Sequence, residues 1–461
     1  GHTARPQTAR VVGLAKHPLG RSVVTDHPDS TEPARPTRAR YVLALWLCGL
    51  TAILYLDRVC MSQAVEPVQK AFGLTNTDIS YAMMAFTVAY GLFEIPAGRM
   101  GDRSGSRAVL TRIVVWWSVF TALTGATWGF ASLLVVRFLF GAGEAWAFPN
   151  AIRVIARWYP LRERGRVQGL MLAAAQLGGV VAPVGTAWLI GTIGWRWVFP
   201  LFGLIGVAWA VGFWWWFRDD PAEHPAVNAA ELAVIRDDQP PPAADPGSVP
   251  WKAALANRGV FALCLAVVCG AFYTYFFYSW FPKYLTAARG VDNLTAGALA
   301  SVVLAGSAVG MLLGGRLSDR ITERSADPVT ARRWLCAGCF LAAAGCLWVG
   351  IRCDHPMALA ALWGLSFCAM HVTMPNWWSV VVPQCGRHVG TLSGLMNGAG
   401  VIGALASQWF VGVWSDYRAT MGATGRAQWD GMFDVYVAVL MLAAFAWWFY
   451  RYRPLPDHPP P

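Results

Sequence analysis

The chain has 461 residues, of which 56% are hydrophobic and 14% charged, with a formal net charge of +11. A soluble domain of this length carries about 25% charged residues, so an extensive water-facing surface is excluded. The 25 tryptophans fit a bilayer better, because Trp concentrates where lipid meets water.

Residues 1–40 are rich in Pro, Arg, Thr and Ala and hold no apolar run long enough for a secretory signal, so they read as a disordered tail. The chain opens on Gly1 rather than Met, as a processed or added terminus would. Twelve mostly apolar windows follow, at 42–64, 79–98, 109–129, 132–152, 167–190, 197–217, 260–285, 296–316, 334–352, 357–382, 390–413 and 435–451. A spanning helix needs about 20 such residues. The windows are apolar all round, whereas helices of a soluble bundle carry an apolar stripe. Between the sixth and seventh, segment 219–250 holds Asp219, Asp220, the proline run 240–242 and Pro246, and reads as a polar linker. The expected organisation is a tail (1–40), a six-helix bundle (41–218), the linker (219–250), a second six-helix bundle (251–453) and a short tail (454–461).

Arginines mark the sides. One set of loops holds Arg99, Arg103, Arg107 and Arg112, then Arg157, Arg162, Arg164 and Arg166, then Arg316, Arg320, Arg324, Arg332 and Arg333. The alternate loops hold scattered charges such as Lys70, Arg196 and Arg289. Positive loops stay cytoplasmic, which predicts a multi-pass protein of the cell membrane with both termini and the linker inside. Basic residues spread over many short loops do not form a nucleic-acid patch. The cysteines sit largely within the windows (Cys48, Cys60, Cys264, Cys269, Cys346, Cys368), and Cys336 and Cys339 lack a second ligand pair, so they read as packing residues and no metal is expected.

A repeat relates the halves. The loop after the second window carries Gly98, Asp102, Arg103, Gly105 and Arg107, and the loop after the eighth carries Gly315, Asp319 and Arg320. Each has Gly, three residues, then Asp-Arg. Two such loops at equivalent places in six-span halves indicate a duplicated transporter fold. Together with Arg137, Gly141 and Ala145 in the fourth window, they resemble the signature of the major facilitator superfamily. More narrowly, the chain is similar to the anion:cation symporter branch, which includes hexuronate, glucarate and galactonate carriers. That likeness rests on Tyr55, Asp57 and Arg58, on Gly141 to Asn150 with Glu144, Phe148 and Pro149, and on Trp280 to Leu285.

Ionisable groups inside a span are expensive and therefore functional candidates. They are Asp57, Arg58, Glu94, Arg137 and Glu144. At ~1.5 Å per residue, Asp57 and Arg137 come to similar depth and could pair, and Glu144 lies about two turns deeper than Arg137 on the same face. Arg58 and Arg137 suit a substrate carboxylate, while desolvated Asp57 and Glu144 suit binding and releasing a proton. The alternative is a set of structural ion pairs. In the resembled branch the matching Asp-Arg pair and span-four Glu serve proton coupling and substrate binding, which implies the first reading. Tyr55, Tyr90, Gln176, Tyr273 and Asn397 are further substrate candidates, Asn397 because it matches a polar position of the branch. Glu94, Asp102, Arg103, Arg107, Asp319 and Arg320 are expected to gate the cytoplasmic side.

The fold expected is all-α, twelve transmembrane helices in two pseudo-symmetric six-helix bundles. The function expected is proton-coupled symport of a small organic anion, a sugar acid, by alternating access. The proton is the coupling ion, no other cofactor is expected, and a monomer in the lipid bilayer is expected to suffice. An exchanger or uniporter of the same fold for a phosphate ester, peptide or drug is the first alternative. A membrane enzyme or receptor ranks lower, since no nucleophile–base pair or metal-ligand set stands near an interface.

Overall fold

The computed structural model describes residues 1, 35–237, 254, 256–385 and 389–452, with all side chains there except those of 95–104, 382–383, 385 and 389–391. Of the tail read over 1–40, residues 2–34 lie outside the described residues, as do the linker prolines at 240–242 and 246 and residues 454–461. The described residues from 36 to 452 form one compact unit.

Each apolar window falls on helix. In chain order the first half contains α1 (Ala39–Phe72), α2 (Asn76–Ser104), α3 (Ser106–Thr124), α4 (Phe130–Glu144), α5 (Ala147–Trp158), α6 (Leu161–Ile193) and α7 (Trp195–Trp216). A short helix α8 (Ala229–Arg236) follows. The second half contains α9 (Arg258–Ser279), α10 (Phe281–Arg289), α11 (Asn293–Arg324), α12 (Pro328–Gly350), α13 (Pro356–Cys385), α14 (Val389–Thr420), α15 (Arg426–Trp429) and α16 (Phe433–Trp448). Ten crossings meet the length and apolarity of a membrane span among the described residues. The other two, α2 and α14, have 29 and 32 residues, ample for a ~30 Å hydrocarbon core. The protein is a polytopic all-α membrane protein with twelve crossings in two six-helix bundles.

The crossings formed by α4–α5 and α9–α10 are interrupted. Pro149 and Pro282 lie just inside α5 and α10, where a missing backbone N–H costs least, and the chain breaks at Ala145–Trp146 and at Trp280. Elsewhere the turns follow local chemistry. Gly73 ends α1 in a left-handed conformation (φ 66°), and Thr75 with Asp78 forms a reciprocal cap that starts α2. The signature loops prove to be helix. Asp102 and Arg103 lie in α2, Asp319 and Arg320 in α11. Between α2 and α3 the turn is confined to Gly105 (φ 73°), a conformation that glycine adopts without strain.

Pairing within the halves repeats. In the first, α1 packs on α6, α2 on α4 and α3 on α7; in the second, α9 packs on α14, α11 on α13 and α12 on α16. These are the same positions in the order of crossings. The halves meet through α2 with α14 and α6 with α11. Glycines set the closest approaches: a Cβ on Gly178 would lie 2.2 Å from the Ala52 carbonyl oxygen, and one on Gly403 would lie 2.1 Å from that of Val268. These contacts occupy equivalent places, α6 on α1 and α14 on α9.

Beyond α7 the polar segment is docked. Glu231 of α8 is fully buried and accepts the backbone N–H groups of Ala39 and Arg40, each at 3.2 Å. It thereby satisfies orphan donors at the start of α1, whose N-cap residue Arg38 supplies none. The Arg40 side chain bridges Glu231 (3.2 Å) and Glu163 (3.0 Å). Asp219 accepts the backbone N–H of Arg107 at 3.0 Å, so the start of α3 is capped from this segment. His224 packs between Trp158 and Trp216, with ring centroids 5.4 and 4.6 Å away, and its Nδ1 accepts the Ala226 N–H at 3.1 Å.

Gly178→Val should force α1 and α6 apart and cost about 1–3 kcal/mol, read as a lowered unfolding midpoint in detergent; an unchanged midpoint would refute the close approach. Burial pushes the His224 imidazole below its ordinary value of 6.5, and Arg218 opposes while Glu231 favours its charged form. The docked ring is therefore neutral, and the undocked ring takes up a proton first as pH falls through about 6.5. Docking should be firm above that pH and weaken below it, so proteolytic cutting in 218–237 should rise between pH 7.5 and 5.5, and His224→Phe should flatten the dependence.

Candidate functional site

The charged groups of α1 and α4 converge where the two halves meet. A cavity of about 20 Å³ is lined there by Arg58, Met61 and Ser62 of α1, Met83 and Phe86 of α2, Arg137 of α4, Tyr275, Tyr278 and Ser279 of α9, and Gln408 of α14. That volume holds about one water molecule, so a larger solute requires the halves to part.

Arg58 and Glu144 form the central pair. Arg58 Nε donates to Glu144 Oε1 at 2.9 Å, and Nη2 lies 2.7 Å from the same oxygen without forming a second aligned hydrogen bond. Glu144 is 1% exposed, and its Oε2 has no hydrogen-bond partner among the described residues. The guanidinium rests against the rings of Tyr90, Tyr55 and Phe86, with centroids 4.9, 5.3 and 5.4 Å away. Glu144 reaches it because it ends α4 at the break before α5. Glycine spacing brings α4 close: a Cβ on Gly141 would lie 2.4 Å from the Phe86 carbonyl oxygen.

Asp57 and Arg137 do not form the ion pair their depths allow. Adjacent residues on a helix point about 100° apart, so α1 turns Arg58 to the seam and Asp57 into the first half. Asp57 is 1% exposed. Trp117 and Thr121 of α3 face it, and Arg137 acts on it at longer range. Arg137 is also buried and held by aromatic faces, Phe140 at 4.9 Å and Phe86 at 5.1 Å.

Other candidates divide. Tyr55 and Tyr90 wall the Arg58 guanidinium, and Tyr55 meets Tyr278 across the seam at 6.4 Å. Gln176 reaches the second half, its amide 3.0 Å from Met311 Sδ. Tyr273 is not at the cavity: it is fully buried in the second half and its hydroxyl pairs with Ser366 at 2.6 Å. On the same helix Tyr275 and Tyr278 line the cavity instead. Gln408, a polar residue within a span and therefore a signal in the sequence, lines the cavity with them. His371 bonds the Phe367 carbonyl at 2.8 Å, as a core histidine does.

The gating candidates also separate. Asn397 Nδ2 donates to both oxygens of Glu94, at 2.6 and 2.5 Å, joining α2 to α14. Arg107 packs on Trp214 (4.3 Å) and donates through Nε to its carbonyl at 2.9 Å, so it ties α3 to α7 within one half. Asp319 and Arg320 are exposed and form no ion pair among the described residues; Arg332 bonds Ser318 and Thr322 beside them. The side chains of Asp102 and Arg103 lie outside those described.

At the face carrying the α1–α2 turn, the seam is bonded repeatedly. Gln63 donates to Asn293 Oδ1 at 2.6 Å, Thr77 Oγ1 to Asp416 at 2.6 Å, Ser80 to the Gln408 carbonyl at 2.7 Å and Thr87 to Gln408 Oε1 at 3.0 Å. Breaking the central pair by Glu144→Gln leaves Arg58 as a buried charge without its counterion, at a cost of about 3–5 kcal/mol. A thermal double-mutant cycle with Arg58→Gln should recover part of that loss; additive losses would show that the pair does not couple.

Comparison with known proteins gives a consistent result. The Major Facilitator Superfamily matches residues 47–408. The chain is similar to "Probable sulfoacetate transporter SauU" of Cupriavidus necator, 32% identical over 80% of this chain and 86% of that protein. It is similar to "Probable galactarate/D-glucarate transporter GudP" of Bacillus subtilis, 31% identical over 84% of this chain and 88% of that protein. Its fold is similar to the crystal structure of a bacterial homologue of the human lysosomal transporter Spinster, with a TM-score of 0.72 and 21% identity over 89% of this chain and 96% of that one. The chain belongs to the Major Facilitator Superfamily and is a multi-pass membrane transporter, not an enzyme.

Proposed function

We propose that this protein carries a small organic anion, a hydroxylated sugar acid, together with protons, by alternating access between its two halves. The observation that carries the reading is the buried Arg58–Glu144 pair at the seam. Ionised Glu144 occupies the guanidinium that a substrate carboxylate would use. Protonated Glu144 loses that attraction and frees Arg58 for bidentate carboxylate binding. Proton and anion therefore favour the same state, which is the requirement for symport. Asp57, buried within the first half, is the second proton site, and its charge is felt by Arg137. Hydroxyls of the substrate would meet Tyr55, Tyr90, Tyr275 and Tyr278. The names of the relatives, which specify acidic solutes, support the substrate class.

The arginine-rich loops support an orientation with both termini and α8 on the cytoplasmic side of a cell membrane. The repeatedly bonded face of the seam is then the outer one, and the Glu94–Asn397 bridge lies toward the inside. Rocking of the halves about α2–α14 and α6–α11 would break one set of contacts while the other forms, and a monomer holds all of these parts.

In proteoliposomes, an imposed inside-alkaline pH gradient should drive accumulation of a sugar acid such as galactonate. Glu144→Gln, fixed in a neutral form, should abolish accumulation while retaining exchange of labelled for unlabelled substrate. Asp57→Asn should also uncouple. Undiminished pH-driven accumulation in both variants would sink the proposal.

A further inference from the structure

Glu94 is not needed for the proton logic above, yet it stands beside the same site. It lies one turn from Tyr90 on α2, so the two share a face, and Tyr90 is the ring closest to the Arg58 guanidinium. Its charge acts on Arg58, Tyr90 and Tyr275. It is half-buried, while Asn397, its hydrogen-bond partner across the seam, is exposed. The carboxylate accepts only one amide group and has no cation within ion-pair distance among the described residues.

We infer that Glu94 is a specificity-determining residue that sets the charge of the anion accepted, favouring a monocarboxylate over a dicarboxylate. This rests on the sugar-acid symport reading. With Asp57 and Glu144 protonated and Glu94 held ionised by the Asn397 amide, which donates to both of its oxygens, the fixed charges at the site are the cations of Arg58 and Arg137 and the single anion of Glu94. Their sum is one positive charge, the complement of a substrate with one carboxylate. A second carboxylate would enter a site already neutralised and would approach Glu94 itself. The Asn397 amide holds the Glu94 carboxylate in place, so the repulsion is fixed in position. Removing that charge leaves two uncompensated cations, the complement of a dianion. One charge near a partly solvated site changes relative binding by about tenfold or more.

The test is competition for labelled galactonate uptake in proteoliposomes by unlabelled galactonate and unlabelled glucarate, in the unaltered chain, Glu94→Gln and Glu94→Asp. Glutamine keeps the size and removes the charge; aspartate keeps the charge. The ratio of glucarate to galactonate affinity should rise about tenfold or more in Glu94→Gln and stay near its original value in Glu94→Asp. Galactonate uptake with an unchanged ratio in Glu94→Gln overturns the inference alone. An equal rise in Glu94→Asp also overturns it, because geometry rather than charge would then be responsible. Uptake of neither acid by the unaltered chain overturns the substrate class and this inference with it.

Discussion

A guanidinium inside a membrane protein must find a counterion or a polar cradle, and in this chain Arg58 finds Glu144. Removing two charges from water costs several kcal/mol per ion unless close contact repays it. The rest of the first half serves that contact. Gly141 lets α4 approach α2, Gly178 lets α6 approach α1, and the break after Glu144 ends the helix where the carboxylate must reach. Tyr55, Phe86 and Tyr90 surround the cation with ring faces, a weak cradle for its charge.

The scaffold is symmetric and its chemistry is not. Helix pairs recur at equivalent positions in both halves, down to the glycine contacts of Gly178 and Gly403. The mid-span charges, however, belong to α1, α2 and α4. The second half faces them with Tyr275, Tyr278, Gln408 and Asn397, groups that read hydroxyls and amides rather than charge. A solute placed at the seam thus meets an electrostatic wall on one side and a neutral hydrogen-bonding wall on the other.

Parts of this were legible in the residues themselves. Apolarity sustained over twenty residues is a local property, so all twelve windows fall on helix. A charge inside such a window is conspicuous because of its cost, so Asp57, Arg58, Glu94, Arg137 and Glu144 stood out. Azimuth was not legible. Counting residues gives depth along an axis but not direction across a bundle, which is why Asp57 and Arg137 seemed able to pair while Arg58 takes Glu144. The same gap put Tyr273 among ligands when it bonds Ser366. The docking of α8 was hidden for another reason: Glu231 sits in a segment polar enough to pass as solvated, and nothing local marks it as the cap of a helix nearly two hundred residues earlier.

Twelve membrane crossings in two related halves, with a few buried charges in the first, are written locally in the residues. These follow from residue-by-residue transfer energies and from a repeated motif. Which charge meets which, and that Glu94 is bridged by Asn397 across the seam, emerge only when the helices pack. Those outcomes depend on helix rotation and on the packing of small residues, which are set by contacts between segments far apart in the chain.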